Sequence, residues 1–339
     1  MIPNTLSPEA QVIALLCSRL ALSPTDLEAA KPLTAREWSQ LSEKVAASSW
    51  TPPDLLGKSA ADIASGLQLP AAEAERIARL LARGGHLAIE LERLAQRGIW
   101  VLTLADASYP AKWKTRLQAR APALLFGAGD QALLSQPAVA VVGSRDADEA
   151  AQHFASRVAE LCAAASVNIV SGAARGIDRV AMTAALGNSG HAVGVLADDL
   201  ERTLRDADTR NLVAAGQLAL VTQFHYSAPF SIGNAMARNK LIYCLAEFAV
   251  VAAASEQTGG TWTGATENLK ERWVPLFVRA ADDAPAGNSA LLKAGALPLF
   301  DSELTPELLD LLRERASHIV PAEPRTATQS SFAWNPSQS

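Results

Sequence analysis

Two short stretches of this chain combine residues suited to holding phosphate. Gly143-Ser144-Arg145 follows the apolar run Ala138 to Val142, and Ser171-Gly172-Ala173-Ala174-Arg175-Gly176-Ile177-Asp178 follows Val167 to Val170. Each pairs small residues with one arginine. Turns of that kind let backbone N–H groups and a helix N-terminus approach an anion, and an arginine beside them adds a planar fork of donors matched to phosphate oxygens. Further polar groups recur downstream in Arg238-Asn239-Lys240 and in Thr258-Gly259-Gly260, with Phe224, His225, Tyr226 and Trp262 as aromatic neighbours. The candidate anion-binding set is therefore Gly143, Ser144, Arg145, Ser171, Gly172, Arg175, Gly176, Arg238, Asn239, Lys240, Thr258, Gly259 and Gly260.

The elements that must carry these residues follow from hydrophobic periodicity. From Ala138 onward, apolar strands alternate with helical patterns. The strands are expected at Val139–Val142, Val167–Val170, Ala192–Leu196, Leu218–Thr222, Phe248–Ala253 and Val274–Val278, and the helices at Asp148–Ala164, Ile177–Leu186, Thr209–Ala215, Asn234–Leu245 and Thr261–Arg272. Strands apolar on both faces and separated by helices imply a mostly parallel sheet covered on both sides, an α/β doubly wound fold. Ligands of such sheets lie at the carboxyl ends of the strands, where these turns fall. Pro275 places the last of the six towards a sheet edge. Ile99–Leu104 and Ala123–Phe126 read as edge strands or connectors.

Before the sheet, residues 1–97 read as a small helical domain. Helix starts are marked by Ser7-Pro8, by Ser23-Pro24, by Thr34 with Glu37 as a capping box, and by Ser59, and a longer pattern runs from Ala71 to Arg83. Ser65-Gly66-Leu67-Gln68-Leu69-Pro70 faintly resembles a turn of small helical modules that touch nucleic-acid backbones, but a plain helical cap is the better reading of it. Residues 98–303 form the sheet domain. Residues 304–339 hold one short helix, Glu307–Arg315, and a tail expected to be disordered from about Ala322.

Composition excludes several classes. The 339 residues are 49% hydrophobic, with a net charge of -5 that rules out a generally basic coat, so any nucleic-acid surface is a local patch. No apolar run reaches the roughly 18 residues of a membrane span, and no basic segment with an apolar run behind it opens the chain, so a cytoplasmic protein is expected. Cys17, Cys162 and Cys244 and the five histidines have neither disulfide nor metal-ligand spacing, and no cofactor is implied. Asp198-Asp199-Glu201 is followed by Arg202 and Arg205, which favours a solvated mixed-charge loop over a Mg²⁺ site. Asp178, at a helix start, is expected to stabilise the helix dipole or to pair with Arg175 or Arg179.

From about Leu94 to Phe300 the motifs, in order, resemble the DNA-processing protein DprA (Smf) family. The approach Asp106-Ala107-Ser108-Tyr109-Pro110, the Gly-Ser-Arg turn, Ser171 to Asp178, Arg238-Asn239-Lys240-Leu241-Ile242, Thr258 to Ala265, and the closing Ala286-Gly287-Asn288 and Gly295-Ala296 carry the likeness. The resemblance implies a Rossmann-like domain behind a SAM-like helical one, a single-stranded DNA pocket at Arg145 and Arg175 with Arg238, Asn239 and Lys240 nearby, and a homodimer. It further implies a non-catalytic role in loading the RecA recombinase during recombination or uptake of transforming DNA. Departures are Met182 where the family has histidine, Lys240 where it has arginine, the absence of Pro-Gly after Arg279, and a tail too short for a winged helix. They leave open a regulator or antitoxin of a phage-defence pair with a toxin partner. A sensor or hydrolase of a nucleotide-derived ligand is a further alternative. Gly259-Gly260 and Glu267 invite comparison with the LOG phosphoribohydrolases, but Thr258 replaces their proline and the spacing does not register.

Overall fold

Three of the described N-terminal helices start where Ser7, Thr34 or Ser59 accepts one of the free N–H groups of the first turn. In the computed structural model, which describes residues 6–22, 27 and 30–318, the helices of this region are α1 (Pro8–Cys17), α2 (Ala35–Ala46), α3 (Ala60–Leu67), α4 (Ala71–Leu81) and α5 (Gly84–Gln96). Ser7 accepts from the N–H of Ala10. Thr34 and Glu37 form the expected reciprocal box, the Thr34 N–H donating to Oε2 at 2.7 Å and the Glu37 N–H to Oγ1 at 3.2 Å. The Ser23-Pro24 start and the tail from Ala322 lie outside the described residues.

Helix α5 has no counterpart in the expected helical pattern, which ends at Arg83 just ahead of Gly84-Gly85. The buried Arg83 explains its formation: its guanidinium donates to the carbonyls of Leu80 (2.9 Å), Leu20 (2.6 Å) and Leu15, fixing the corner so that the helix restarts at once. Leu87, Leu91 and Leu94 then bury one face.

The sheet domain follows as β1 (Trp100–Thr103), α6 (Ala111–Leu117), β2 (Leu124–Ala128), β3 (Ala138–Val142), α7 (Glu149–Ala164), β4 (Asn168–Ser171), α8 (Ile177–Gly187), β5 (Ala192–Val195), α9 (Leu200–Thr203), α10 (Ala207–Ala214), β6 (Leu218–Thr222), α11 (Ile232–Leu245), β7 (Phe248–Val251), α12 (Gly259–Glu271), β8 (Leu276–Arg279), α13 (Ala286–Lys293), β9 (Leu297–Leu299) and α14 (Leu308–Ser317). Strand order is β1-β2-β6-β5-β4-β3-β7-β8-β9. Pairing is parallel from β6 to β9, and β1 and β2 add antiparallel to the β6 side. Val139, Val141 and Ile169 pack under Phe154, Ala155 and Val158 of α7, whereas Ala140, Val142 and Val170 pack under Leu241–Leu245 of α11 and Trp113 of α6. The fold is thus the expected Rossmann-like α/β sheet, with helices on both faces and a helical region ahead of it.

Two sheet details differ. Pro275 does not mark an edge: β8 pairs with both β7 and β9. The proline stands one residue ahead of the strand, where only its carbonyl is used, accepting from Ala249 at 3.0 Å. The outer strand β9 has three residues and contains Pro298, too short a run to be read from periodicity.

Leaving β3, the chain winds first through β4, β5 and β6, then returns to place β7 on the other side of β3. Strand order therefore reverses between β3 and β7, and the carboxyl ends of β3, β4 and β7 border the crevice such a reversal creates.

Candidate nucleic-acid interface

The two glycine turns touch. The N–H of Ser144 donates to Ala253 O at 2.9 Å, tying the end of β3 to the segment after β7, and the N–H of Ile177 donates to Ser144 O at 3.3 Å. Gly143 packs so closely on Ile177 that an added Cβ would lie 2.5 Å from Cγ1. Gly176 has φ +77°, and a Cβ there would run into the backbone of Ser144 and Arg145. The glycines thus do two things at once, admitting close backbone approach and locking one turn onto the other. Ser171 is buried, its hydroxyl donating to Val141 O at 2.6 Å.

Beneath these turns lie two buried groups of opposite charge, Asp178 and Arg238. Asp178, 7% exposed, accepts the N–H of Gly172 at 3.2 Å through Oδ2, and Arg238, 5% exposed, donates to Gly172 O at 2.6 Å and to Val195 O. Burial pushes the Asp178 carboxyl up, while the Arg238 charge and the donors of Ala174, Ser171 and Gly172 pull it back down. The counter-charge of Asp178 is Arg238, not Arg175 or Arg179, because α11 delivers its arginine under the turn while the other two arginines stand exposed.

Arg145 and Arg175 are both exposed. Neither side chain makes a hydrogen bond or an ion pair with the described residues. The Arg145 guanidinium lies 5.4 Å from the ring centre of Phe230, and Ser144 Oγ accepts from the N–H of Asp146. Thr258, Gly259 and Gly260 are exposed at the start of α12, with Gly259 at φ +81°. Asn239 reaches that start, its Nδ2 donating to Gly260 O at 2.9 Å.

Lys240 is brought elsewhere. Two positions on from Arg238 it occupies roughly the opposite flank of α11. There it is half-buried, its neighbours are Arg120, Glu267 and Cys244, and burial pulls its ammonium pKa down. Arg238 itself serves as framework for the Gly172 turn.

The expected aromatic set also divides. Tyr226 is buried and donates its hydroxyl to Glu90 Oε1 at 2.7 Å, and its ring lies with His225 against Phe126. Trp262 packs on the second apolar face of the sheet. Sequence reasoning missed the residue that does face outward, Phe230, 48% exposed, followed by Ile232 at 77%. A signal was present: Ser231 caps α11, accepting from Asn234 at 3.0 Å, so Phe230 precedes the cap where a hydrophobic staple residue belongs. Its partner position four residues into the helix is Ala235, too small to cover a phenyl ring.

The acidic loop is a mixed-charge one: Asp198 pairs with Arg202 at 3.2 Å, Asp199 caps α9, and Glu201 pairs with Arg97 at 2.8 Å. Among the described residues no group of three or more His, Cys, Asp or Glu is placed to hold a metal ion, and no helix is long and apolar enough to cross a membrane.

Residues 100–308 match the family model described as DNA recombination-mediator protein A, which spans more than half of the chain. The chain belongs to this family. Among its relatives, DNA processing protein DprA of Streptococcus pneumoniae is 32% identical over 212 residues, 62% of this chain and 71% of the relative. Protein Smf of Escherichia coli is 31% identical, with 61% of this chain and 55% of the relative covered. A DprA of Mycobacterium tuberculosis is 30% identical over 220 residues, so the chain spans only 57% of that relative. In fold, the chain is similar to S. pneumoniae DprA, with a TM-score of 0.59 at 23% identity over 82% of this chain and 98% of that one. It is also similar to Helicobacter pylori DNA processing protein A, whose structure was solved for its single-stranded DNA binding mode, with a TM-score of 0.52 at 22% identity over 63% and 96%.

Proposed function

We propose that this member of the family binds single-stranded DNA, without catalysing a reaction on it, in the crevice bordered by β3, β4 and β7. The observation that carries the reading is a pair of exposed arginines, Arg145 and Arg175, on two turns locked together through Gly176 and Ser144. Guanidinium forks without a hydrogen-bond or ion-pair partner among the described residues can take phosphate oxygens, and glycine backbone lets a strand come close. Exposed N–H groups at the start of α12, with Thr258, Gly259 and Gly260, extend the same rim. The carboxylates nearby favour binding over catalysis. Asp178 is buried, accepts the Gly172 N–H and lies in the field of Arg238, and Glu267 stands near Lys240, Tyr243 and Cys244. Family membership supports recombination as the setting, with delivery of the strand to a RecA-type recombinase as the specific role.

The test is a fluorescence titration with single-stranded oligonucleotides at several salt concentrations. Affinity should fall with salt at a log–log slope of about 0.7 per phosphate contacted, and Arg145→Ala or Arg175→Ala should each weaken binding and flatten that slope. Tight binding indifferent to both substitutions overturns the proposal.

A further inference from the structure

We infer that Phe230, with Ile232 beside it, is a stacking platform for an unpaired nucleobase of the strand whose phosphates lie on Arg145 and Arg175, and that this platform gives the crevice its preference for single strands. The inference rests on the binding reading above. A phenyl ring left 48% exposed and an isoleucine left 77% exposed, two residues apart at the start of α11, form the most exposed pair of large apolar side chains near the crevice. The position where a staple partner would stand is Ala235, too small to cover a phenyl ring, and the ring is 48% exposed. What marks its occupant is the cation beside it: the Arg145 guanidinium, 5.4 Å from the ring centre, adjoins the aromatic surface and makes no hydrogen bond or ion pair with the described residues.

A phosphate and the base of the same nucleotide are the chemistry that uses both groups together. The phosphate takes the guanidinium fork and the base lies on the ring. A duplex cannot do this, since its bases are already stacked on each other inside the helix, so the ring rewards only a strand whose bases are free. Of the other aromatic candidates, Tyr226 is held by Glu90, His225 lies against Phe126 and Tyr226, and Trp262 packs on the sheet.

The experiment compares two labelled single-stranded oligonucleotides of equal length, one intact and one abasic throughout, by anisotropy with wild type, Phe230→Ala, Phe230→Trp and Arg175→Ala. Wild type should prefer the intact strand. Phe230→Ala should bind it about tenfold more weakly, roughly one stacked base, and bind the abasic strand as wild type does, which also reports that the variant is folded. Phe230→Trp should retain the preference. If Phe230→Ala binds the intact strand as wild type does while Arg175→Ala does not, the stacking inference is overturned and the binding reading stands. Failure of wild type to bind either strand overturns both.

Discussion

At the scale of single residues, Arg238 and Lys240 separate two roles that look alike in the sequence. Both sit in one basic triplet, but only the structure distinguishes the flank of α11 that faces the Gly172 turn from the flank that faces Glu267. Arg238 compensates a buried carboxylate, so Arg238→Ala should cost about 3–5 kcal/mol of stability, read as a lower urea midpoint, because Asp178 is left as an unpaired buried charge. Lys240→Ala should leave oligonucleotide affinity at the wild-type level in the same titration used for Arg175. The glycines and exposed arginines were legible because their chemistry is local to a turn. The burial of Arg238 and the exposure of Phe230 were not, since each depends on what another element brings to that place: Val195 O from β5 in one case, and an alanine too small to cover the ring in the other.

At the scale of elements, boundaries were readable wherever a cap announces them. The Thr34–Glu37 box was visible as a spacing, and in the fold it gains a long-range partner, Arg76 of α4, whose Nη1 lies 2.7 Å from Glu37 Oε1. That guanidinium, helped by the N–H and hydroxyl of Thr34, holds the Glu37 carboxyl below its ordinary value of 4.5, at about 2. Protonation is therefore harder in the folded chain than in the unfolded one. The stabilisation is complete above pH 4.5 and is lost as pH falls towards 2. Unfolding titrations across that range should show Glu37→Gln with a shallower acid-side loss than wild type, and the two curves converging near pH 2. Elements without such marks were missed for identifiable reasons. Helix α5 hides behind a Gly-Gly pair, α6 and α13 are short, and β9 has three residues.

At the scale of the molecule, the helical region and the sheet share one apolar core. Leu15, Ile77 and Leu94 belong to the same cluster as Ile99, Val101 and Phe126, and Tyr226–Glu90 and Arg97–Glu201 bridge the two regions. A fragment starting at Gly98 would bare that face. It should elute as aggregate in size-exclusion chromatography where the full chain does not; a well-behaved fragment would favour two independent units. Composition and periodicity foresaw a large core and a sheet domain behind helices, but not that the two share one core, because the residues at the seam look like ordinary core positions of either part.

The placement of β7 beside β3 also bears on when the crevice comes into being. Val139 pairs with Phe248, and Ser144 is tied to Ala253, so the Gly143 turn waits for the chain to be synthesised through β7 before its neighbour exists. Contacts so distant along the chain form late and slow the search for the native state. On the ribosome, then, the nascent chain would carry Arg145 and Arg175 into the cell well before their scaffold is closed. Competence to capture a strand should be gained near the end of translation, as a property of the finished sheet.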